Sequence, residues 1–224
     1  SQAPKVANNL AAPLHQHLFC FRLDWELDGK ENQLFETEIQ LLPVSENNPN
    51  GTQFSSVASH LTKESDAKRE ISPETSRVWQ VVNPNKKNSL GIPVAYKLLP
   101  GATPKLFSNP DSIVSKRAAF AKHNLWATPY NSEELGAAGS YTVMSDGESG
   151  LEDYTKNDRD ISKCDLVTWH TFGLSHVPRP EDWPVMPVEY CGFHLIPVGF
   201  FDKNPTLDLP PSCKMGNLSD KKEN

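Results

Sequence analysis

Apolar and polar residues alternate over two early stretches of the chain, and a period of two is the signature of a half-buried strand. The first covers about residues 15–27. Leu18, Phe19, Phe21 and Leu23 read there as buried strand, and Asp28-Gly29 ends it as a turn. The second covers residues 35–42, with Phe35, Thr37, Ile39 and Leu41 set against Glu36, Glu38 and Gln40. The polar connection between them predicts a hairpin. Residues 43–51, rich in Asn and Pro, read as loop. Residues 60–72 are mostly charged and carry no sustained apolar stripe, so they read as a solvated strand or an exposed turn. Alternation returns over residues 76–83, where Val78, Gln80 and Val82 oppose Trp79 and Val81. Residues 83–88 form a turn, and residues 94–99 a further strand closed by Pro100-Gly101.

Helical signals gather in one place. Asp111 or Ser112 can cap a short helix running to residue 121. Residues 131–160 are loop-rich, with Gly136, Gly139, Gly147 and Gly150. Residues 165–171 and 189–197 read as the last strands, and the tail after Pro211 is expected to fray. Many short strands joined by Pro-rich turns predict an all-β sandwich with one short helix.

Composition changes this picture little. With 224 residues the chain can bury one sizeable core. A net charge of −6 leaves no basic patch for nucleic acid, and no apolar run approaches a membrane span. Cys20, Cys164, Cys191 and Cys213 are widely spaced, with no Cys-x-x-Cys pair. Cys20 reads as a small buried hydrophobe, and no pairing is assigned to the others. Two glycosylation sequons begin at Asn50 and Asn217, the first residues carry no secretory signal, and the last four carry no address; the compartment stays open.

Histidine placement changes it more. His15 and His17 are two residues apart on a strand, so both imidazoles point to one face, while Leu14, Gln16, Leu18 and Cys20 share the other. Buried imidazoles need partners. A shared metal is one answer, and ordinary core hydrogen bonds are the other. A third ligand must come from His60, His123, His170, His176 or His194. His176 ends a low-charge strand that runs into a Pro-rich turn. His170 is six residues earlier on the same nominal face, and the pattern alone does not choose between them. Three imidazoles suit Cu, Zn, Fe or Ni. Separately, Asp24 and Glu26 share a strand face, an arrangement suited to a hard cation or to a solvated acidic edge.

Four ordered blocks give the chain a family likeness. His15-Gln-His-Leu-Phe, followed by Arg22-Leu-Asp24, resembles the copper-ligand strand of the copper/topaquinone amine oxidases. His176-Val-Pro-Arg-Pro-Glu-Asp-Trp-Pro-Val-Met-Pro187 resembles the block carrying their third copper histidine, and the 159 residues from His17 to His176 match the family's usual gap. Residues 117–130 resemble the segment before the family's late loop, and residues 200–207 its near-terminal motif. The likeness runs over roughly residues 11–211.

What the resemblance implies can be set out residue by residue. The fold is the large antiparallel sandwich of the amine oxidase catalytic domain, with residues 1–215 as its C-terminal part and residues 216–224 as a tail. Cu(II) is held by His15, His17 and His176, with Met186 near it. A calcium site takes side-chain oxygens from Asp24, Glu26 and Asp165 and backbone carbonyls from Trp25 and Leu166. The substrates are a primary amine and O2, the products aldehyde, ammonia and hydrogen peroxide, and the protein is a homodimer, with residues 60–82 in the character of an exchanged arm. The family's topaquinone forms from the Tyr of Asn-Tyr-Asp/Glu. Tyr96, Tyr130, Tyr141, Tyr154 and Tyr190 follow Ala, Pro, Ser, Asp and Glu, so none qualifies. The quinone tyrosine and the Asp base are expected upstream, and this chain alone is expected to be inert. Two other readings remain: a zinc lyase or hydrolase with a three-His site, and a non-catalytic metal-binding remnant.

Overall fold

A computed structural model of the protein describes residues 3–209. The expected tail, Cys213 and the second sequon lie outside the described residues. Strands β1 (Lys5–Ala7) and β2 (Leu10–Ala11) form a small antiparallel pair. There follow β3 (His15–Asp24), β4 (Gln33–Leu41), β5 (Phe54–Leu61), β6 (Val78–Lys87), β7 (Pro93–Leu99), helix α1 (Ile113–Arg117), β8 (Leu125–Pro129), helix α2 (Leu151–Tyr154), β9 (Leu166–His176) and β10 (His194–Val198). One antiparallel sheet has the order β10-β7-β6-β4-β5, and the other the order β3-β9-β8. They face each other across a core of Trp25, Leu27, Leu34, Leu61, Trp79, Val81 and Leu98 packed with Leu125, Ala127, Ile161 and Leu166. The all-β sandwich is therefore the observed fold.

The predicted hairpin between the first two strands does not form. β3 pairs with β9 over its whole length, while β4 pairs with β5 and β6. The intervening residues cross from one sheet to the other. Trp25 and Leu27 plug the core on the way, and the Asn32 side chain ties the crossing by donating to the carbonyls of Trp25 and Gly29. Alternation shows that a segment is a strand; it carries no information about its partner.

Residues 62–77 do not project as an arm. Glu64 and Ala67 are fully buried, and the Arg69 backbone exchanges hydrogen bonds with Leu125. The charges that suggested solvent are spent on internal pairs. Arg69 and Arg77 bind Glu36, which also accepts from the Trp79 indole, and Arg77 reaches Glu38. Arg159 joins buried Glu64 to Glu134. What extends instead is the far end of the β4–β5 hairpin, where Leu41, Val44 and Phe54 are exposed.

The helix expected to residue 121 is α1 followed by a 3-10 turn at Ala119–Lys122, with the Ser112 hydroxyl accepting from the Ser115 amide at 3.1 Å. α2 and β8 carry no clear pattern. β9 is buried on both faces over residues 166–173, because Trp126, Leu151, Val167 and Trp169 form a second core on the outer side of the three-stranded sheet. A strand covered on both sides reads as a continuous apolar run. Cys20 packs there, and burial pushes its thiol up to about 12. The last expected strand is shorter, beginning at His194.

Candidate metal centre

Antiparallel register assembles the site. His15 is opposite His176 and His17 is opposite Leu174, so the two strand ends present three imidazoles on one face. Ring centroids lie 4.8 Å apart for His15–His17 and 4.9 Å for His15–His176. One ligand atom from each residue falls within 4.8 Å of the others, and among the described residues no second group of His, Cys, Asp or Glu converges in this way. Gly173 makes the close strand approach possible, since a Cβ there would run into the backbone carbonyl of His17.

The ring nitrogens are sorted by their outer partners. His15 Nδ1 lies 2.9 Å from the Pro13 carbonyl, an acceptor, so Nδ1 carries the proton and Nε2 keeps its lone pair. His176 Nε2 lies 2.9 Å from Asp182 Oδ2, which assigns the proton to Nε2 and the lone pair to Nδ1. Those two unprotonated nitrogens face each other at 3.3 Å. Two lone pairs at that separation repel unless a proton or a metal ion lies between them. Nitrogens bound at about 2.0–2.1 Å to one metal ion are roughly 3 Å apart, so the donor set fits a metal. Asp182 is absent from the residues singled out by sequence. It follows His176 by six positions within the Pro-rich turn, and only the fold of that turn brings it back. The Arg179 guanidinium, and then the His176 ring, hold its carboxyl well below the usual carboxylate range.

His170 does not join the group. It is fully buried between the sheets, its Nδ1 lies 2.9 Å from the Asn124 carbonyl, and Phe172, Phe193 and Trp79 surround its ring. Burial pushes it down to about 4. The opposite end of the same face is open. Phe19 and Phe21, read from the sequence as buried, are 46% and 50% exposed and lean on Phe172. The five-stranded sheet covers the face only at its His170 end, where Trp79 reaches across. His17, Phe19, Phe21, Phe172, Met186 and Cys191 line one shallow concavity of about 490 Å³, which places Met186 on the same wall as His17.

The acidic group lies at the other end of β3 and β9. Asp24 binds Arg22 at 3.0 Å, Asp165 binds Lys30 at 3.2 Å, and Glu26 is exposed. The Leu166 carbonyl accepts the Trp25 amide, and the Trp25 carbonyl accepts from Asn32. As arranged, the chain's own cations and donors engage the Asp24 and Asp165 carboxylates and the Trp25 and Leu166 carbonyls. Among the described residues, Cys20, Cys164 and Cys191 form no disulfide with one another.

A family model described as copper amine oxidase, enzyme domain, matches residues 1–216. The chain is 48% identical over 211 residues to a histamine oxidase of Arthrobacter globiformis, covering 94% of this chain and 31% of that protein. It is 46% identical over 206 residues to a primary amine oxidase of Arthrobacter sp. (strain P1), covering 92% of this chain and 31% of that protein. The crystal structure of a copper-containing benzylamine oxidase from Hansenula polymorpha superposes with a TM-score of 0.84 at 38% identity, covering 90% of this chain and 32% of that one. The chain thus spans about a third of the length of the curated relatives it matches. A zinc lyase or hydrolase would account for the histidines and leave the rest of this likeness unexplained. Sequence blocks, sandwich and relatives agree: the chain belongs to the copper amine oxidase family and matches its enzyme domain.

Proposed function

We propose that this chain is the copper-bearing part of a primary-amine oxidase, with His15, His17 and His176 as the Cu(II) ligands. The observation that carries the reading is the pair of lone-pair nitrogens, His15 Nε2 and His176 Nδ1, aimed at each other at 3.3 Å with their protons engaged elsewhere. Bound there, copper supplies one-electron redox chemistry toward dioxygen. The chain's residues hold and orient the ion, and Phe19, Phe21 and Phe172 give the neighbouring surface an apolar character. The relatives' names point to primary amines, histamine among them, as the substrate class. The quinone tyrosine is assigned to sequence upstream, because no tyrosine among these 224 residues follows an Asn.

The test loads the chain with Cu(II) in air, adds a quinone-reactive hydrazine, and measures peroxide with several primary amines. We expect bound copper, no hydrazine adduct and no peroxide above the copper blank. An adduct, or peroxide that scales with protein, would overturn the division of labour.

Two further parts of the reading are also proposals. A homodimer would use the exposed end of the β4–β5 hairpin, where Leu41, Val44 and Phe54 lack intramolecular cover; mass in solution checks it. Calcium at the acidic edge would have to displace Lys30 from Asp165 and Arg22 from Asp24. Melting with and without calcium checks that, since an ion that binds only the folded state raises the midpoint.

A further inference from the structure

We propose that Gln16 is a positioning residue of the metal centre. From the back of the sheet its amide clamps β3, β9 and the segment before α1 together, and so fixes the spacing of the strand ends that carry His15, His17 and His176. The inference rests on the copper reading above and adds a residue on the face away from the imidazoles.

Gln16 stands between His15 and His17 on β3, with its side chain on the opposite face. Its register partner is Ser175, the residue before His176. This pair is therefore directly behind the three imidazoles. The strand ends need such a support. β3 begins at His15 and β9 ends at His176, so the ladder stops at the site. β3 is also an edge strand, paired only with β9 among the described residues. Backbone at strand ends opens more readily than backbone in a sheet centre. Packing behind the site is loose, because Leu14, Leu18, Phe107, Val114 and Phe120 line a groove of about 720 Å³ there.

Polar bonds do what packing does not. Gln16 Nε2 donates to the Lys105 carbonyl at 2.9 Å and to the Ser175 hydroxyl at 3.0 Å, and Oε1 accepts the Phe107 amide at 2.8 Å. The amide has only one orientation that fits. A backbone carbonyl only accepts and a backbone amide only donates, so nitrogen must face Lys105 and oxygen Phe107. One side chain thus spends both donor hydrogens and its acceptor on three segments. The bond to Ser175 ties the two ligand strands at the rung next to His15–His176. The bonds to residues 105 and 107 hold that rung against the loop. The loop is anchored in turn, since the Ser108 and Ser112 hydroxyls lie 2.7 Å apart and Ser112 caps α1.

The test compares the unaltered chain with Gln16→Ala, Gln16→Met and Ser175→Ala. Nitrogen-15 magnetic resonance on the metal-free proteins reads the clamp without reference to copper. The Gln16 side-chain amide protons should exchange slowly in the unaltered chain, and the Phe107 amide should lose protection in Gln16→Ala. Copper affinity, by competition with a chelator, should fall about 10-fold in Gln16→Ala. The nitrogen hyperfine splitting of the saturated protein should change as well; a residue that only stabilised the fold would lower the urea midpoint and leave that spectrum alone. Gln16→Met keeps the volume and removes all three bonds, so it should behave as Gln16→Ala does. Ser175→Ala removes one bond and should cost a smaller factor, and in the Gln16→Ala background it should cost nothing more. Should Gln16→Ala fail to fold, Gln16→Met and Ser175→Ala carry the test. Fast-exchanging Gln16 amide protons in the unaltered chain, an unchanged affinity and spectrum in Gln16→Ala or Ser175→Ala, or restoration of both by Gln16→Met would overturn the proposal. Failure of the unaltered chain to bind Cu(II), with the Gln16 amide protected, would instead overturn the copper reading.

Discussion

His170 and His176 are six residues apart on one face of β9, yet the two ends of that face are built for opposite purposes. At the His170 end the five-stranded sheet closes over the strand. The imidazole is sealed among Trp79, Phe172 and Phe193, and its one hydrogen bond goes to a backbone carbonyl. At the His176 end the covering sheet stops short. Phe19 and Phe21 are half-exposed, and three imidazoles converge. The same residue type is therefore a packing element at one end and a donor at the other. What separates them is their surroundings: burial among aromatic walls keeps His170 uncharged, against the pull of its carbonyl partner, while a carboxylate beside a guanidinium bonds His176.

This contrast predicts that changes at the closed end alter stability and spare the metal. The largest effect is expected for Arg159→Ala. It strips the counter-charge from Glu64, which is fully exposed to no solvent, and from Glu134. Breaking a buried ionic group in this way costs about 3–5 kcal/mol. Urea unfolding should show a loss of that order, with copper stoichiometry unchanged in the folded protein. Loss of copper alongside would show that the two ends are coupled.

Acid provides the next test. In the fold His170 stays neutral down to about 4, against an ordinary value of 6.5. As pH falls below 6.5 the unfolded chain takes up a proton that the folded one refuses, so the unfolded state gains. The stability tied to the neutral ring is complete above pH 6.5 and is lost between 6.5 and 4, by on the order of 3 kcal/mol. His170→Phe should flatten that part of a stability–pH curve. A curve as steep as that of the unaltered protein would assign the acid sensitivity elsewhere.

Gly173 lies between the two histidines and sharpens the comparison with a smaller effect. A Cβ there collides with the His17 carbonyl, so Gly173→Ala must push β9 away from β3. Overpacking of this kind costs about 1–3 kcal/mol. Because the shift separates His176 from His15 without removing a ligand, copper affinity should fall while one ion still binds at saturation. An unchanged affinity would show that strand spacing does not set the ligand geometry.

Much of this was legible in the sequence, and the gaps have physical causes. Strand spacing alone put His15 and His17 on one face, and the 159-residue gap with the following Val-Pro-Arg block favoured His176 over His170. Strand partners were not legible, because the crossing at Trp25 and Leu27 looks like the continuation of a strand until its side chains are seen in the core. The charged stretch at residues 60–72 misled because an internally paired charge and a solvated one have the same letters: Glu64 is buried, and Arg69, though partly exposed, is paired with buried Glu36. The exposure of Phe19 and Phe21 was hidden for the converse reason, since an apolar letter does not say what covers it. Asp182 was missed because its contact with His176 depends on a turn closed by Arg179, and that closure has no periodicity.

The central claim is that His176, and not its neighbour on the same face, completes the copper site. Metal analysis with electron paramagnetic resonance of the Cu(II)-loaded unaltered chain, His170→Phe and His176→Ala tests it most directly. The account predicts one copper with the same nitrogen hyperfine pattern in the first two, and loss of the ion from His176→Ala. Copper retained with an unchanged spectrum in His176→Ala, or lost from a folded His170→Phe protein, would contradict it.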